Sequence, residues 1–298
     1  MKKKNGKFII GVDLGGTKIA AALATLKGKI KKEMEFPTDA GKGPQAVIKN
    51  VARAISEVAG PNLKQVKAIG IGAPGAVLYD KGIVTYPPNL PGWKEINLKK
   101  ILEKEFEIPV EVDNDANCAA LAEGQFGAGV DAKNFVYVTI STGIGGGIII
   151  NKKLYRGAVG AAGELGHICI EKKGKKCSCG KLGHLEGLAA GGAIHRHYGV
   201  SPKEINAAAK NKKRWAFKII NEVADTIGLG FASVINILNP EMIIVGGGLS
   251  NMGETLLQPI RFAIRKYALP LPYQTVKIVR AKLGTKSGLY GAIALAQE

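Results

Sequence analysis

Four cysteines in 298 residues, Cys118, Cys169, Cys177 and Cys179, are too few and too unevenly spaced to form a disulfide framework. Their thiols are therefore expected to be free or metal-bound, in a reducing compartment. Long apolar runs are missing as well. The longest stretch, residues 135–150, is broken by Thr139, Ser141, Thr142 and four glycines, whereas a membrane span needs about 20 apolar residues. Met1 to Lys4 resembles the basic start of a signal peptide, but the apolar run that follows stops at Asp13. Neither export nor membrane association is expected, and the location read from this is cytoplasmic.

Acidic residues are scarce beside basic ones, 24 against 42, which leaves a net charge of +18. Clusters such as KKGKK (residues 172–176) and KNKKR (residues 210–214) would attract polyanions. They lack the interleaved aromatics that stack on bases, so a solvated lysine-rich surface is the favoured reading and no nucleic-acid partner is expected. The common phosphate loop GxxxxGK[ST] is also absent, because no Gly-Lys here is followed by Ser or Thr. A dinucleotide-binding βαβ unit fails too, since a hairpin rather than a helix follows the first glycines.

What remains is an ordinary globular composition, 46% apolar and 22% charged, long enough for two lobes. Residues 8–13 and 18–26 read as two strands around a glycine turn. The same grammar returns at residues 135–150, where FVYVTISTGIGGGIII echoes FIIGVDLGGTKIAAAL. Helical spacing marks residues 44–59, 98–106 and 215–238, and strands are expected at 66–71, 110–112 and 242–245. A further helix is expected from Ala116 to Glu123, ending near Gly124. Strands alternating with helices make an α/β protein with mixed sheets.

Three groups of residues carry chemistry. Backbone N–H groups in glycine turns cradle phosphates because no Cβ blocks the approach, and the candidates are residues 13–18 and 141–147. Either is also an acceptable hairpin turn; Asp13 favours the phosphate reading, since a carboxylate there can hold the water shell of Mg²⁺. Asp115, after a strand and at a helix start, suits a general base that accepts a hydroxyl proton, yet Asn114 or Asp115 would equally serve as an N-cap. His167, Cys177, Cys179 and His184 lie in one polar, glycine-rich segment, and two thiolates with two imidazoles suit tetrahedral zinc. Unliganded thiols in a loop are the alternative. Cys169, between Ile168 and Ile170, reads instead as a strand residue packed as a small hydrophobe. Glu164 and Glu186 bracket the segment and could take the vicinal hydroxyls of a sugar, or be solvated surface carboxylates.

Taken together, GVDLGGTK (residues 11–18), GAPGAV (72–77), NLPGW (89–93), DNDANCAA (113–120), STGIGGGI (141–148), the His/Cys segment and VGGGLS (245–250) resemble the ROK family of bacterial sugar kinases and repressors. The resemblance covers residues 11–296. It implies a two-lobed actin-like (ribonuclease H-like) ATPase fold with mixed sheets and an interlobe cleft. The small lobe would be residues 1–115 rejoined by 287–298, and the large lobe residues 116–286, with a zinc loop at about 164–187. It implies ATP with Mg²⁺ held by Asp13, Gly15, Gly16, Thr17, Lys18, Thr142, Gly143, Gly145, Gly146 and Gly247. It further implies a hexose held by Gly75, Asn114, Asp115, Glu164, His167 and Glu186, with Asp115 as general base; Asn89 stays unassigned. His167 would give one nitrogen to a structural Zn²⁺ and the other to a hydroxyl. The family's metal motif usually reads C-x-C-G-x-x-G-C-x-E, and here His184 stands where the third cysteine belongs. The activity implied is phosphorylation of a hexose, glucose first, at its 6-hydroxyl. N-acetylglucosamine, N-acetylmannosamine, fructose and allose are alternative acceptors, polyphosphate an alternative donor, and a sugar-responsive repressor an alternative role. Such repressors carry a helix-turn-helix ahead of the phosphate hairpin, and seven residues precede Phe8. The resemblance also implies a homodimer or homotetramer, as relatives are commonly dimers or tetramers.

Overall fold

The computed structural model describes residues 6–298, so the basic start at Met1 to Lys4 lies outside the described residues. Contacts divide the chain into two units. One comprises Met1–Phe126, Leu154–Ala162 and Thr285–Glu298, the other Gly127–Lys153 and Gly163–Gly284. The division therefore falls after Phe126 rather than at Ala116, and the first unit also claims residues 154–162.

In the first unit, buried apolar residues on β1 (Phe8–Leu14) and β2 (Lys18–Thr25) form the expected antiparallel hairpin, with Phe8 opposite Thr25 and Leu14 opposite Ile19. β3 (Ile30–Pro37) pairs antiparallel with β2. The sequence reading missed β3 because Lys31, Lys32, Glu33 and Glu35 dilute its apolar pattern. Charge of this kind is how sheets protect an edge strand. β4 (Val66–Ala73) pairs parallel with β1. A small sheet of β5 (Ala76–Leu78), β6 (Ile83–Thr85) and β7 (Ile96–Asn97) follows, and then β8 (Val110–Asn114) lies parallel to β4. The large sheet runs β3-β2-β1-β4-β8.

Helices Pro44–Ala59 and Leu98–Phe106 have the bounds that their apolar spacing predicts. Helix Asp115–Phe126 does not stop at Gly124. Phe126 carries it two residues further, with its ring 5.3 Å from that of Tyr290 and against the α-carbon of Gly28. That burial outweighs the roughly 1 kcal/mol that an interior glycine costs a helix. Helix Ser287–Leu295 then lies on the same sheet so closely that a Cβ at Gly70 would meet the Ala292 carbonyl at 2.1 Å.

The second unit repeats the plan. β9 (Phe135–Ile140) and β10 (Ile144–Ile150) form an antiparallel hairpin. With β11 (Lys153–Tyr155), β12 (Met242–Gly246) and β13 (Lys277–Arg280) they give the order β11-β10-β9-β12-β13. β1–β2 and β9–β10 thus occupy matching places in two sheets of like order, which is the structural content of the echo between residues 8–23 and 135–150. Helix Arg214–Leu238 packs on helix Glu254–Tyr267, with Gly228 admitting Ala263. Among the described residues no helix is long and apolar enough to cross a membrane.

Candidate active site and metal centre

The first glycine turn closes β1 onto β2 with a hydrogen bond from the Gly15 N–H to the Lys18 carbonyl at 2.9 Å. Buried Thr38 braces it from behind, its hydroxyl donating to the Gly15 carbonyl at 2.7 Å and its N–H to the Thr17 carbonyl at 3.0 Å. Gly16 lies against Asn89, leaving no room for a Cβ, so the unassigned NLPGW segment supports this turn. Thr17 and Lys18 are exposed, and Lys18 forms an ion pair with Glu35. Asp13, at the end of β1, lies against Gly288 in the first turn of helix Ser287–Leu295. Burial pushes the Asp13 carboxyl up, with the Lys18 charge opposing.

The choice of N-cap is settled by Asn114. Its Oδ1 accepts from the N–H groups of Ala116 (2.8 Å) and Asn117 (3.4 Å), while its Nδ2 donates to the Gly75 carbonyl at 2.8 Å. Asp115 stands exposed at the first position of the helix. Gly75 has φ 81°, and a Cβ there would meet Pro87 Cα at 2.9 Å, so glycine is required to bring its carbonyl to Asn114.

The second glycine turn is shorter than expected. β10 already begins at Ile144, so Gly145 and Gly146 are strand residues paired with Thr139 and Val138. Gly146 is buried against Leu165 and the Gly163 carbonyl, a packing role that explains the run of glycines. Ser141, Thr142 and Gly143 form the exposed turn itself. The Ser141 and Thr142 carbonyls accept from Gly191 and Gly192 at 2.7 and 3.1 Å. A cavity of about 390 Å³ opens beside them, lined also by Ser201, Lys203, Gly248 and Asn251. Gly247, with φ 79° and no space for a Cβ beside Ile140, makes the turn that leads into it. The sequence reading missed the far wall of this cavity. Its signal was Ser201 with Glu204 three residues on, a capping box now seen at helix Pro202–Lys210.

The metal-ligating segment is a knuckle. The Cys177 N–H donates to the Lys181 carbonyl, Lys176 bridges Leu182, and Gly183 (φ 69°) passes so close to the Glu171 carbonyl that no side chain could replace its hydrogen. This brings together all four predicted ligands, with their donor atoms within 4.8 Å of one another. Cys177 Sγ is 3.8 Å from His167 Nδ1, and Cys179 Sγ is 3.2 Å from His184 Nδ1. Those separations bracket the spacing of about 3.5 Å between sulfur and nitrogen on one tetrahedral zinc. The donor set fits, with His184 in the fourth corner. Cys169 is corrected: it bridges His184 as a strand residue but is exposed, and it is Ile168 and Ile170 that pack on the core.

The two glutamates differ. Glu164 is exposed, its Oε2 lying 3.7 Å from His167 Nε2, the nitrogen turned away from the thiols. Glu186 is held on both sides. Oε1 accepts from the Ser178 hydroxyl at 2.5 Å and lies 3.4 Å from Cys177 Sγ, while Oε2 accepts from the Ile144 N–H at 3.0 Å. Burial pushes the Glu186 carboxyl up, but hydrogen bonds from Ser178, Ile144 and Cys177, with the His167 charge, hold it below the usual range.

Comparison with known proteins gives the family and the fold. The glucokinase of Halalkalibacterium halodurans (strain ATCC BAA-125 / DSM 18197 / FERM 7344 / JCM 9153 / C-125) is 37% identical over 96% of this chain and 93% of that protein. A putative xylose repressor of Caldicellulosiruptor sp. (strain Rt8B.4) is 33% identical over 98% of this chain and 78% of its own length. Among solved structures, a ROK family glucokinase from Streptomyces griseus in complex with glucose and AMPPNP superposes with a TM-score of 0.81 at 35% identity, covering 97% of this chain and 99% of that one. The two mixed five-stranded sheets are those of the actin-like ATPase fold. A profile of the ROK family matches residues 9–298, and the chain belongs to that family.

Proposed function

We propose that the protein is an ATP-dependent hexose kinase of the cytoplasm that phosphorylates glucose at its 6-hydroxyl. The observation that carries this reading is the place of Asp115, exposed at the first position of helix Asp115–Phe126 directly after its N-cap Asn114. The likeness to glucokinases, one of them solved with glucose and AMPPNP, supports the substrate pair.

In the proposed reaction Asp115 takes the proton of the 6-hydroxyl as that oxygen bonds to the γ-phosphorus. The bond to the β-γ bridging oxygen breaks, and ADP leaves with the electron pair. Asn114, Gly75, Glu164, His167 and Glu186 hold the sugar. The turns at Gly15-Gly16-Thr17 and Thr142-Gly143 direct N–H groups at the triphosphate, and Gly247 shapes the nucleoside side. Asp13 is the residue placed to orient the water shell of Mg²⁺, which neutralises phosphate charge when bound. His167, Cys177, Cys179 and His184 would hold zinc, which orients His167 and the Glu186 loop without entering the chemistry.

The test is an ADP-release assay with Mg-ATP, and separately with polyphosphate, across glucose, N-acetylglucosamine, N-acetylmannosamine, fructose and allose. Turnover with glucose above the others supports the reading; turnover with none overturns it. The likeness to a xylose repressor favours a second reading, a sugar-responsive regulator, which a gel shift at physiological salt would reveal. Light scattering tests the homodimer or homotetramer expected of such a kinase.

A further inference from the structure

Arg156 belongs to the segment Leu154–Ala162 of the first unit, where its side chain is only 18% exposed. Its Nε donates to Asp113 Oδ2 at 2.8 Å, a terminal nitrogen pairs with Glu298, and the guanidinium carbon lies 3.6 Å from the centre of the Tyr79 ring. Asp113 is 1% exposed. Its other oxygen accepts from the Asn114 N–H at 2.7 Å and from Asn117 Nδ2 at 2.8 Å. Asn114 in turn caps Ala116 and Asn117. Every residue flanking Asp115, at 113, 114, 116 and 117, is therefore held by a bond that leads to Asp113 or Asn114. The arginine anchors the whole set.

A buried ion pair is a poor device for stability alone, because desolvation offsets most of the attraction. It is a good device for geometry, since a guanidinium offers fixed donor directions. We propose that Arg156 is a positioning residue for the reaction: by fixing Asp113 it fixes the junction of β8 and helix Asp115–Phe126, and so the place and charge state of the Asp115 carboxylate. This rests on Asp115 being the base.

The surroundings agree. The thiol of Cys118, buried on the same helix, is raised by burial and then by the negative charges of Asp113, Asp115 and Asp13, with Arg156 opposing. Three carboxylates from β1, β8 and the helix start therefore share one small region, with Arg156 as the opposing cation. Glu298 and Tyr79 contact the arginine, and Glu111, further along β8, is paired with Lys99. Without Arg156 the charge of Asp113 is unopposed two residues from Asp115, so the base holds its proton to higher pH.

The experiment compares full-length wild type with Arg156→Gln, Arg156→Lys, Arg156→Gln/Asp113→Asn and Asp115→Ala. It measures kcat, KM for sugar and Mg-ATP, kcat against pH, and the thermal midpoint. Arg156→Gln is expected to lose about tenfold or more in kcat, as misplacement of a reacting group does, with sugar KM little changed. Its acidic limb of kcat should shift to higher pH, and Arg156→Lys should return that limb while recovering kcat only in part. A folded Arg156→Gln with wild-type kcat and pH limb overturns the proposal. If that variant fails to fold, the double variant, which leaves no lone buried charge, takes its place. There a lowered kcat supports the proposal and a wild-type kcat overturns it. An active Asp115→Ala removes the base and this inference with it, whereas an inactive Asp115→Ala beside a wild-type-like Arg156→Gln removes this inference alone.

Discussion

Glu186 and Ile144 are joined by a hydrogen bond of 3.0 Å from a backbone N–H to a carboxylate oxygen. The donor is the first residue of β10, directly after the second glycine turn, and the acceptor belongs to the candidate metal loop, so the residue proposed to hold the sugar also braces the end of the turn proposed to hold the triphosphate. Glu186→Gln should therefore raise KM for both substrates. Loss of a charge-assisted hydrogen bond is worth about 2 kcal/mol, or roughly 30-fold in kcat/KM. A rise confined to the sugar would show that the bond to Ile144 is incidental.

Asp115 and Asn114 should separate cleanly. Asp115→Ala should lower kcat by about 10²- to 10⁴-fold, the usual contribution of a general base. Its thermal midpoint should move less than that of Asn114→Ala, because Asn114 supplies the cap. Asn114→Ala removes the cap and the donor to the Gly75 carbonyl, costing about 1 kcal/mol or more of stability. Kinetics and calorimetry on the two variants side by side decide it.

The metal centre predicts about one zinc per chain, consistent with a closed four-ligand site. Metal analysis should find that content lost in His184→Ala and kept in Cys169→Ser. His184→Cys should hold zinc against a chelator at least as well as wild type. Loss of metal from Cys169→Ser would mean that the exposed thiol is a ligand after all.

Asp13 is largely buried, at a cost to stability. Its carboxyl is raised above the ordinary value of 3.8, because burial disfavours the charged form. A raised group gives its full stabilisation below the unfolded value and loses it as pH rises through the folded value. Ionised Asp13 therefore weakens the fold at neutral pH. Asp13→Asn should raise the thermal midpoint at pH 7, with the gain shrinking toward zero as pH falls below 3.8, while kinase activity drops. An equal gain at every pH would rule out the carboxyl's ionisation as the cause.

Gly247→Ala should distort the turn beside the cavity, since φ is 79° and the new methyl would meet the Ile140 carbonyl at 2.4 Å. KM for ATP should rise with KM for sugar nearly unchanged. An unaltered KM for ATP would place the nucleoside elsewhere.

Local pattern made much of this legible. Helices 44–59 and 98–106 have apolar residues on one face and emerge with their expected bounds. The four candidate metal ligands were readable because donor chemistry and short spacing suffice to mark them. Tertiary causes were not readable. β3 hides its pairing under edge charges, the helix at Gly124 is prolonged by a ring that finds Gly28 and Tyr290, and Gly146 packs against Leu165. Arg156 stands in no motif at all; only the fold brings it to Asp113, 43 residues away in sequence.

Helix Ser287–Leu295 lies on β1 and β4, strands made early in the synthesis of the chain. As the polypeptide leaves the ribosome, the first unit can pair its strands early but waits for residues beyond 285 before that face of its sheet is covered. The nascent chain must therefore carry an exposed apolar face built around Ile9, Ala20, Ala22 and Ala24 through most of translation. A stop codon or proteolytic nick ahead of residue 285 would yield not a smaller working module but a sticky, chaperone-dependent fragment.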